Sequence, residues 1–440
     1  MWSRNRVFAP ARGCLRRGPA AWSFFVLALG LLAFACSEPA EDAPERRADP
    51  PAPARVDAAL RAGVSFLVAQ QDEDGAWRSR TYGALRSGLA LTPLVLKVLS
   101  HAGPVPGALE ARARGLAFMR RFLVDGRVAP SFRRGPYPVY AASLMVLVSQ
   151  RLEDELPEGE VRAWLEEVRS HQLLEPLGWE PRDPAYGGFG YSREPPRKPA
   201  EGRPPYDADL SSTLFALGAL RVAGLPASDP SVRGALIFVR RCQNFDPGGS
   251  GPEADGGFFF TPTNALQNKA GVVDGPASSG PRFRSYGTMT ADGLRALLRC
   301  GLSPSHPRVR AARRWLERAL RRSSRRERTA DRRSAQVASS ERRFSMDPPG
   351  RYPPGRASDR LSAAFYWRWS LAHAFRALAR PRLQTPDGPC FWPSLLARDL
   401  LASQRPDGSW SNAHTLLKED DPLVATCLAL GALSLARAYL

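Results

Sequence analysis

Gln404-Arg405-Pro406-Asp407-Gly408-Ser409-Trp410 lies between two apolar runs, Phe391–Ser403 and Pro422–Leu440. The same phrase occurs near the other end as Gln70-Gln71-Asp72-Glu73-Asp74-Gly75-Ala76-Trp77, after Val56–Ala69 and before Gly88–His101. Each reads as a helix, a tight polar turn and a second helix. Asp-Gly supplies the turn, and the tryptophan is expected to fold back over the end of the helix pair. Two copies so far apart, with weaker ones between, imply a chain built from repeats.

Apolar positions recurring at three and four residues, such as Leu214, Leu217 and Leu220, pick out further helices. In order they pair as Val56–Ala69 with Gly88–His101, Gly107–Leu123 with Tyr137–Glu153, and Glu158–Leu173 with Leu210–Ala223. Asp229–Cys242 follows with Thr288–Cys300, His306–Arg321 with Asp359–Ala379, and Pro393–Gln404 with Pro422–Leu440. The first member of each pair is studded with charge, as at Arg162, Glu166, Glu167 and Arg169. The second is apolar nearly all round, as in Leu423–Leu435; Ala291–Leu298 is interrupted only by Asp292, Gly293 and Arg295. A helix with one wet stripe belongs outside and one without belongs inside. Six outer and six inner helices alternating along the chain define an all-α fold, an (α/α)6 toroid, whose closure leaves no terminal repeat uncovered. Connections within several pairs are long (178–209, 244–287, 322–358) and those between pairs mostly short. The long ones gather on the rim where the inner helices begin, which is where a site is expected.

This ring accounts for residues 56–440, with an Arg-rich insert at 321–358 whose functional reading is a mouth for an anionic head group. Residues 1–36 read as a leader: five arginines, the apolar run Ala20–Ala35, then Ala33-Phe34-Ala35-Cys36. That ending resembles a bacterial lipobox and makes Cys36 the expected lipidation site. The run is too short for a spanning helix, which needs about 20 residues, and residues 37–55 suit a flexible tether. An exported lipoprotein of the cell envelope, at the outer membrane or in the periplasm, is the expected address. The formal charge of +19 then points to an anionic membrane surface and away from nucleic acid. Lysine occurs only at 97, 198, 269 and 418; arginine supplies the rest. No Cys-x-x-Cys spacing occurs and the five histidines are scattered singly, so neither a metal nor a cofactor is expected. Cys242, Cys300, Cys390 and Cys427 read as buried thiols, with one disulfide left open.

The chain resembles the squalene cyclase and protein prenyltransferase repeat superfamily. Gly63…Phe66-Leu67…Gln71…Gly75-Ala76-Trp77 and Leu396…Gln404…Gly408-Ser409-Trp410 are similar to its glutamine-tryptophan repeats. Gly187-Gly188-Phe189-Gly190, Asp255-Gly256-Gly257-Phe258 and Tyr286-Gly287-Thr288-Met289-Thr290 resemble phrases of its inner loops. The resemblance implies a cavity for an apolar, isoprenoid-like molecule and extends to the acid chemistry of class II terpene cyclases. There the middle aspartate of Asp-x-Asp-Asp donates a proton. Asp207-Ala208-Asp209-Leu210 is the corresponding stretch, with Asp209 as the implied acid, Asp207 as its tuner and Leu210 where the pattern has a third acid. Both aspartates equally suit an N-cap, accepting the free amides of a helix's first turn. No Asp-x-Cys zinc motif is present, which argues against prenyl transfer.

The expected ligand contacts are Tyr286 and Thr290 on the rim, Tyr366 and Trp369 in the cavity, and Asp421 across the ring. Aromatic faces such as these, with Tyr140 and Phe215, suit a carbocation or plain core. Two other readings stand beside this one. The ring is a non-catalytic scaffold for an envelope protein or peptide, or it is a glycan-active toroid in which Asp207 and Asp421 form the required carboxylate pair.

Overall fold

The computed structural model describes residues 50–200, 208–248, 254–273, 282–320 and 361–440. Cys36, the leader, the tether to residue 49, Asp207 and the Arg-rich insert lie outside the described residues.

Among the described residues twelve long helices carry the fold. They are α1 (Pro53–Ala69), α2 (Leu91–Leu99), α3 (Ala108–Arg120), α4 (Pro138–Ser149), α5 (Glu158–Ser170) and α6 (Leu210–Val222). The second half adds α7 (Pro230–Arg241), α8 (Gly287–Arg299), α9 (Pro307–Ala319), α10 (Ala364–Ala377), α11 (Trp392–Ser403) and α12 (Pro422–Arg437). The even-numbered helices form the inner wall: each packs on the next from α2 to α12, and α12 packs back on α2. That last contact closes the ring. Burial follows the sequence pattern. Eleven of the thirteen residues of α6 are buried, against Ala163, Trp164, Glu167 and Val168 alone on the outer α5.

The expected toroid is therefore present, with local departures at the turns. The helix expected over Gly107–Leu123 stops at Arg120, because Leu123–Val124 (β1) pairs with Arg127–Val128 (β2) about Asp125-Gly126. Both turn residues have positive φ, 48° and 72°, the backbone of a two-residue hairpin. Phe189–Gly190 (β3) with Ala208–Asp209 (β4), and Val272–Val273 (β5) with Arg282–Phe283 (β6), make equally short ribbons on the inner-helix side. Arg382–Thr385 (β7) pairs with Gly388–Phe391 (β8). None of these pairs is long enough to leave a period-two signature.

Four of the six hairpins are fastened by one device. After α1, α5, α7 and α11 a glutamine (Gln71, Gln172, Gln243, Gln404) turns its side-chain amide inward. Each amide donates to the carbonyl of a positive-φ glycine in its own turn: Gly75, Gly187, Gly256 or Gly408, at 2.9–3.1 Å. Its second proton goes to a carbonyl of the next outer helix: Ala111, Ser231, Arg308 or, for Gln404, Ala59 at 2.9 Å. Gln404 thus ties the last hairpin to the first. Two residues past each of these glycines, at Trp77, Phe189, Phe258 and Trp410, the backbone N–H donates to an inner-helix threonine hydroxyl: Thr92, Thr213, Thr290 or Thr426, at 3.0–3.1 Å. The tryptophans do fold back. Trp77 Nε1 donates to Leu67 O at 2.7 Å and Trp410 Nε1 to Leu400 O at 2.8 Å, near the outer-helix ends.

Candidate functional site

A cavity of about 280 Å³ opens where the inner helices begin, on the rim marked by the long connections. All six inner helices contribute from their first turns or caps, including Leu91, Tyr140, Ser211, Tyr286, Tyr366 and Val424. The positive ends of six helix dipoles therefore face it. Among the described residues Lys269 and Lys418 also line it, as does one carboxyl group, that of Glu419. Lys418 lies over the rings of Tyr82 and Tyr137 at 5.7 and 5.9 Å.

A line of aromatic rings crosses the barrel at the bottom of this space. Tyr140 of α4 meets Phe215 of α6 at 4.8 Å, Phe215 stacks on Trp369 of α10 at 5.5 Å, and Trp369 stacks on Tyr366 at 5.6 Å. Tyr366 lines the cavity, and Trp369 lies nearly one helical turn deeper with the Arg295 guanidinium 4.5 Å from its ring centre. Of the other rings on α10, Phe365 and Trp367 are buried in the core.

The polar groups of this region bond mainly to one another. Ser211 Oγ and the Tyr366 hydroxyl are 2.6 Å apart, and Tyr366 donates to Asp292 Oδ2 at 2.6 Å. Asp292 also accepts from Ser370 Oγ at 2.7 Å and from Arg295 at 3.2 Å. Burial raises the Asp292 carboxyl above its usual range although Arg295 opposes this, and burial with the nearby Asp292 charge raises the Tyr366 hydroxyl. Glu419 accepts from the backbone amides of Phe365 and Tyr366 at 2.9 and 2.7 Å, so it caps α10 from another hairpin. Burial pushes its pKa to about 7 against these hydrogen bonds.

The residues singled out from sequence fall in different places. Tyr286 and Tyr366 line the cavity and Trp369 lies beneath it. Thr290 is fully buried in the hairpin fastening, accepting from Phe258 N and donating to Tyr286 O at 2.9 Å; the neighbouring Thr288 lines the cavity. Asp421 caps α12 through Leu423 N at 2.9 Å. Asp209 caps α6: its oxygens accept from Ser212 N at 2.8 Å and Ser212 Oγ at 2.6 Å. It is buried next to the cavity lining residue Ser211, and burial raises its pKa to about 7. Cys242, Cys300, Cys390 and Cys427 are free and buried. Among the described residues no group of three His, Cys, Asp or Glu is placed to hold a metal, and no helix is long and apolar enough to cross a membrane.

Sequence reasoning passed over Asp292 and Glu419. Asp292 did leave a signal, since with Arg295 it breaks the most apolar stretch of α8. Glu419 left none: in Lys418-Glu419-Asp420-Asp421 nothing marks which acid turns inward.

The architecture is that of the solved α/α toroids. A D-mannose isomerase structure matches with a TM-score of 0.51 at 14% identity, covering 92% of this chain and 100% of that one. The type II terpene cyclase MstE from Scytonema matches with a TM-score of 0.47 at 14% identity, over 89% and 100%. A protein from Actinoplanes gives 0.46 at 16%, over 88% and 100%. At these identities the likeness speaks for the fold alone. No family model matches the sequence, and no curated protein does.

Proposed function

We propose that the protein binds one small, mainly apolar molecule of isoprenoid type in the cavity at the head of the inner ring. The observation carrying this reading is the lining: leucines, phenylalanines and tyrosines surround about 280 Å³, and the central hydroxyls and Asp292 are satisfied by one another. A ligand there gains affinity chiefly by removing carbon surface from water, at about 25 cal/mol per Å². A sugar substrate fits less well, since glycoside cleavage needs two facing carboxyls and among the described residues Glu419 is the one that lines the cavity. The test is solvent extraction of the purified protein with mass spectrometry, followed by farnesol titration. Stoichiometric apolar material or saturable farnesol binding, lost in the cavity-filling variant Leu144→Trp, is the expected result. An empty protein indifferent to farnesol would rule the reading out.

A catalytic reading is favoured by one feature, a cavity carboxyl whose pKa of about 7 leaves it partly protonated at neutral pH. In that reading Glu419 delivers the proton and the aromatic line faces the resulting cation. Glu419→Gln would then abolish turnover of a bound polyene while leaving its affinity intact. We further propose that the chain is exported and tethered through Cys36, on the strength of the arginine-rich leader and Ala33-Phe34-Ala35-Cys36. Metabolic labelling with palmitate should be lost in Cys36→Ser.

A further inference from the structure

Two inner helices can be matched residue by residue. Thr213 of α6 and Thr290 of α8 hold the same place in the fastening. Each accepts from a turn amide, that of Phe189 or Phe258, and donates to the carbonyl four residues earlier. Counting back from them, Asp209 corresponds to Tyr286, Ser211 to Thr288 and Ser212 to Met289. At the head of α6 the polar groups find partners. Asp209 accepts from Ser212 N and Ser212 Oγ, Leu210 N donates to Phe260 O at 2.9 Å, and Ser211 Oγ meets the Tyr366 hydroxyl.

The head of α8 is different. Tyr286 makes no side-chain bond to the first turn, and the amides of Gly287, Thr288 and Met289 have no acceptor among the described residues. Thr288 is only 2% exposed and lines the cavity, yet its Oγ1 has no hydrogen-bond partner. Tyr286 and Met289 line the cavity with it. The neighbouring acids serve other helices: Asp209 caps α6, Glu419 caps α10 and Asp421 caps α12. Asp292, deeper in α8, is held by Tyr366, Ser370 and Arg295. Buried donors without an acceptor are costly, and first-turn amides with a helix dipole behind them favour negative charge. Lys269, another lining residue, adds a cation to the same cavity, its ammonium 5.4 Å from the Phe260 ring centre.

We propose that the ligand of this cavity ends in a carboxylate, which caps α8 from outside the chain as Asp209 caps α6 from within it. One carboxylate oxygen accepts the first-turn amides and the other accepts the Thr288 hydroxyl. Asp209 divides its oxygens in the same way between Ser212 N and Ser212 Oγ. The remainder of the molecule lies against the apolar lining, so an isoprenoid or long-chain acid is preferred to the matching alcohol. This inference rests on the apolar-ligand reading and adds the head group to it.

The experiment is calorimetric titration of the full mature chain at pH 8 with farnesoic acid, its methyl ester and farnesol. The three share one isoprenoid chain and differ at the head. Hydrogen bonds to an ionised acceptor are roughly twice as strong as neutral ones, so farnesoate should bind at least about tenfold more tightly than ester or alcohol. Thr288→Val keeps the shape of the side chain and removes no hydrogen bond within the protein. It should weaken farnesoate by about fivefold or more and leave farnesol within about twofold. Equal affinity for acid, ester and alcohol overturns the carboxylate and leaves the apolar cavity standing. A preference for the acid that Thr288→Val does not touch places the carboxylate elsewhere and overturns the capping of α8. Binding of none of the three overturns the apolar reading, and the head group falls with it.

Discussion

Four hairpins of this ring carry the glutamine–glycine–threonine fastening; α3–α4 and α9–α10 do not. There α3 is tied to the next hairpin by ion pairs instead, Arg112 with Glu155 of the α4–α5 connection and Arg120 with Glu160 of α5, the latter at 2.9 Å. The unfastened pairs supply α4 and α10, which stand opposite each other in the closed ring, and with them Tyr140, Tyr366 and Trp369. Where each outer turn is locked to its neighbour, first-turn inner-helix positions are spent on threonines that hold backbone. Where the lock is absent, the inner helix is left to present rings to the cavity. Scaffold and site are thus divided between hairpins, and that division can be attacked directly.

The sharpest attack is on the glycines. A methyl group on Gly187, at φ 81°, would lie 1.9 Å from Gly234 O, and on Gly408, at φ 86°, 2.5 Å from Ala62 O. Backbone cannot yield as a side chain does, so Gly187→Ala should cost on the order of 4 kcal/mol in chemical denaturation. Gly126 in the α3–α4 turn also has positive φ, 72°, but nothing within 4 Å. Gly126→Ala should cost only about 1 kcal/mol, from backbone conformation alone. Equal costs would mean the fastening has no special tightness.

The glutamines come next. Gln172→Leu strands the carbonyls of Gly187 and Ser231 in the interior, and about 2–3 kcal/mol should be lost. Arg120→Ala, which breaks a partly exposed ion pair, should lose at most about 1 kcal/mol. Gln404→Leu tests the seam: a loss matching Gln172→Leu means the ring is uniformly closed, and a larger one means the Ala59 bond carries extra weight.

How far the sequence revealed this is instructive. Every one of the twelve helices is legible, because inner helices dry all round alternate with outer ones wet on one side. Gln71 and Gln404 are legible too, each followed by Gly and Trp. Gln172 and Gln243 use Phe189 and Phe258 instead, and Gln172 stands fifteen residues before its glycine. Their equivalence exists only once the turns are folded. Asp209 and Asp421 are read equally well as caps or as site groups from sequence, since both roles place an acid before an inner helix; the hydrogen bonds place both in caps. Glu419 is invisible for the converse reason, because it caps a helix from a distant hairpin.

A smaller effect concerns protons. Burial raises both Asp209 and Glu419 to about 7, above their ordinary 3.8 and 4.5. In that interval the folded chain holds protons the unfolded chain has released, so their contribution is complete below about pH 4 and is lost as pH rises through 7. Glu419→Gln should flatten this decline in a Tm-against-pH series by roughly 1–3 kcal/mol at pH 8, Asp209→Asn similarly. The two slopes compare a cap within one fastened hairpin with a cap bridging to an unfastened one.

A modest stability change is expected at the heart of the unfastened pair. Tyr366→Phe keeps the ring stacked on Trp369 and removes only the hydroxyl between Ser211 and Asp292. Ser370 and Arg295 still hold Asp292 Oδ1 while Oδ2 loses its donor, so the loss should be about 1–2 kcal/mol. Ligand handling should respond differently: an apolar molecule held by carbon contact keeps its affinity within about threefold, whereas one whose polar end displaces Ser211 from Tyr366 weakens at least tenfold. Farnesol titration of this variant therefore reads whether the rings of α4 and α10 work as a wall or as a recognition surface.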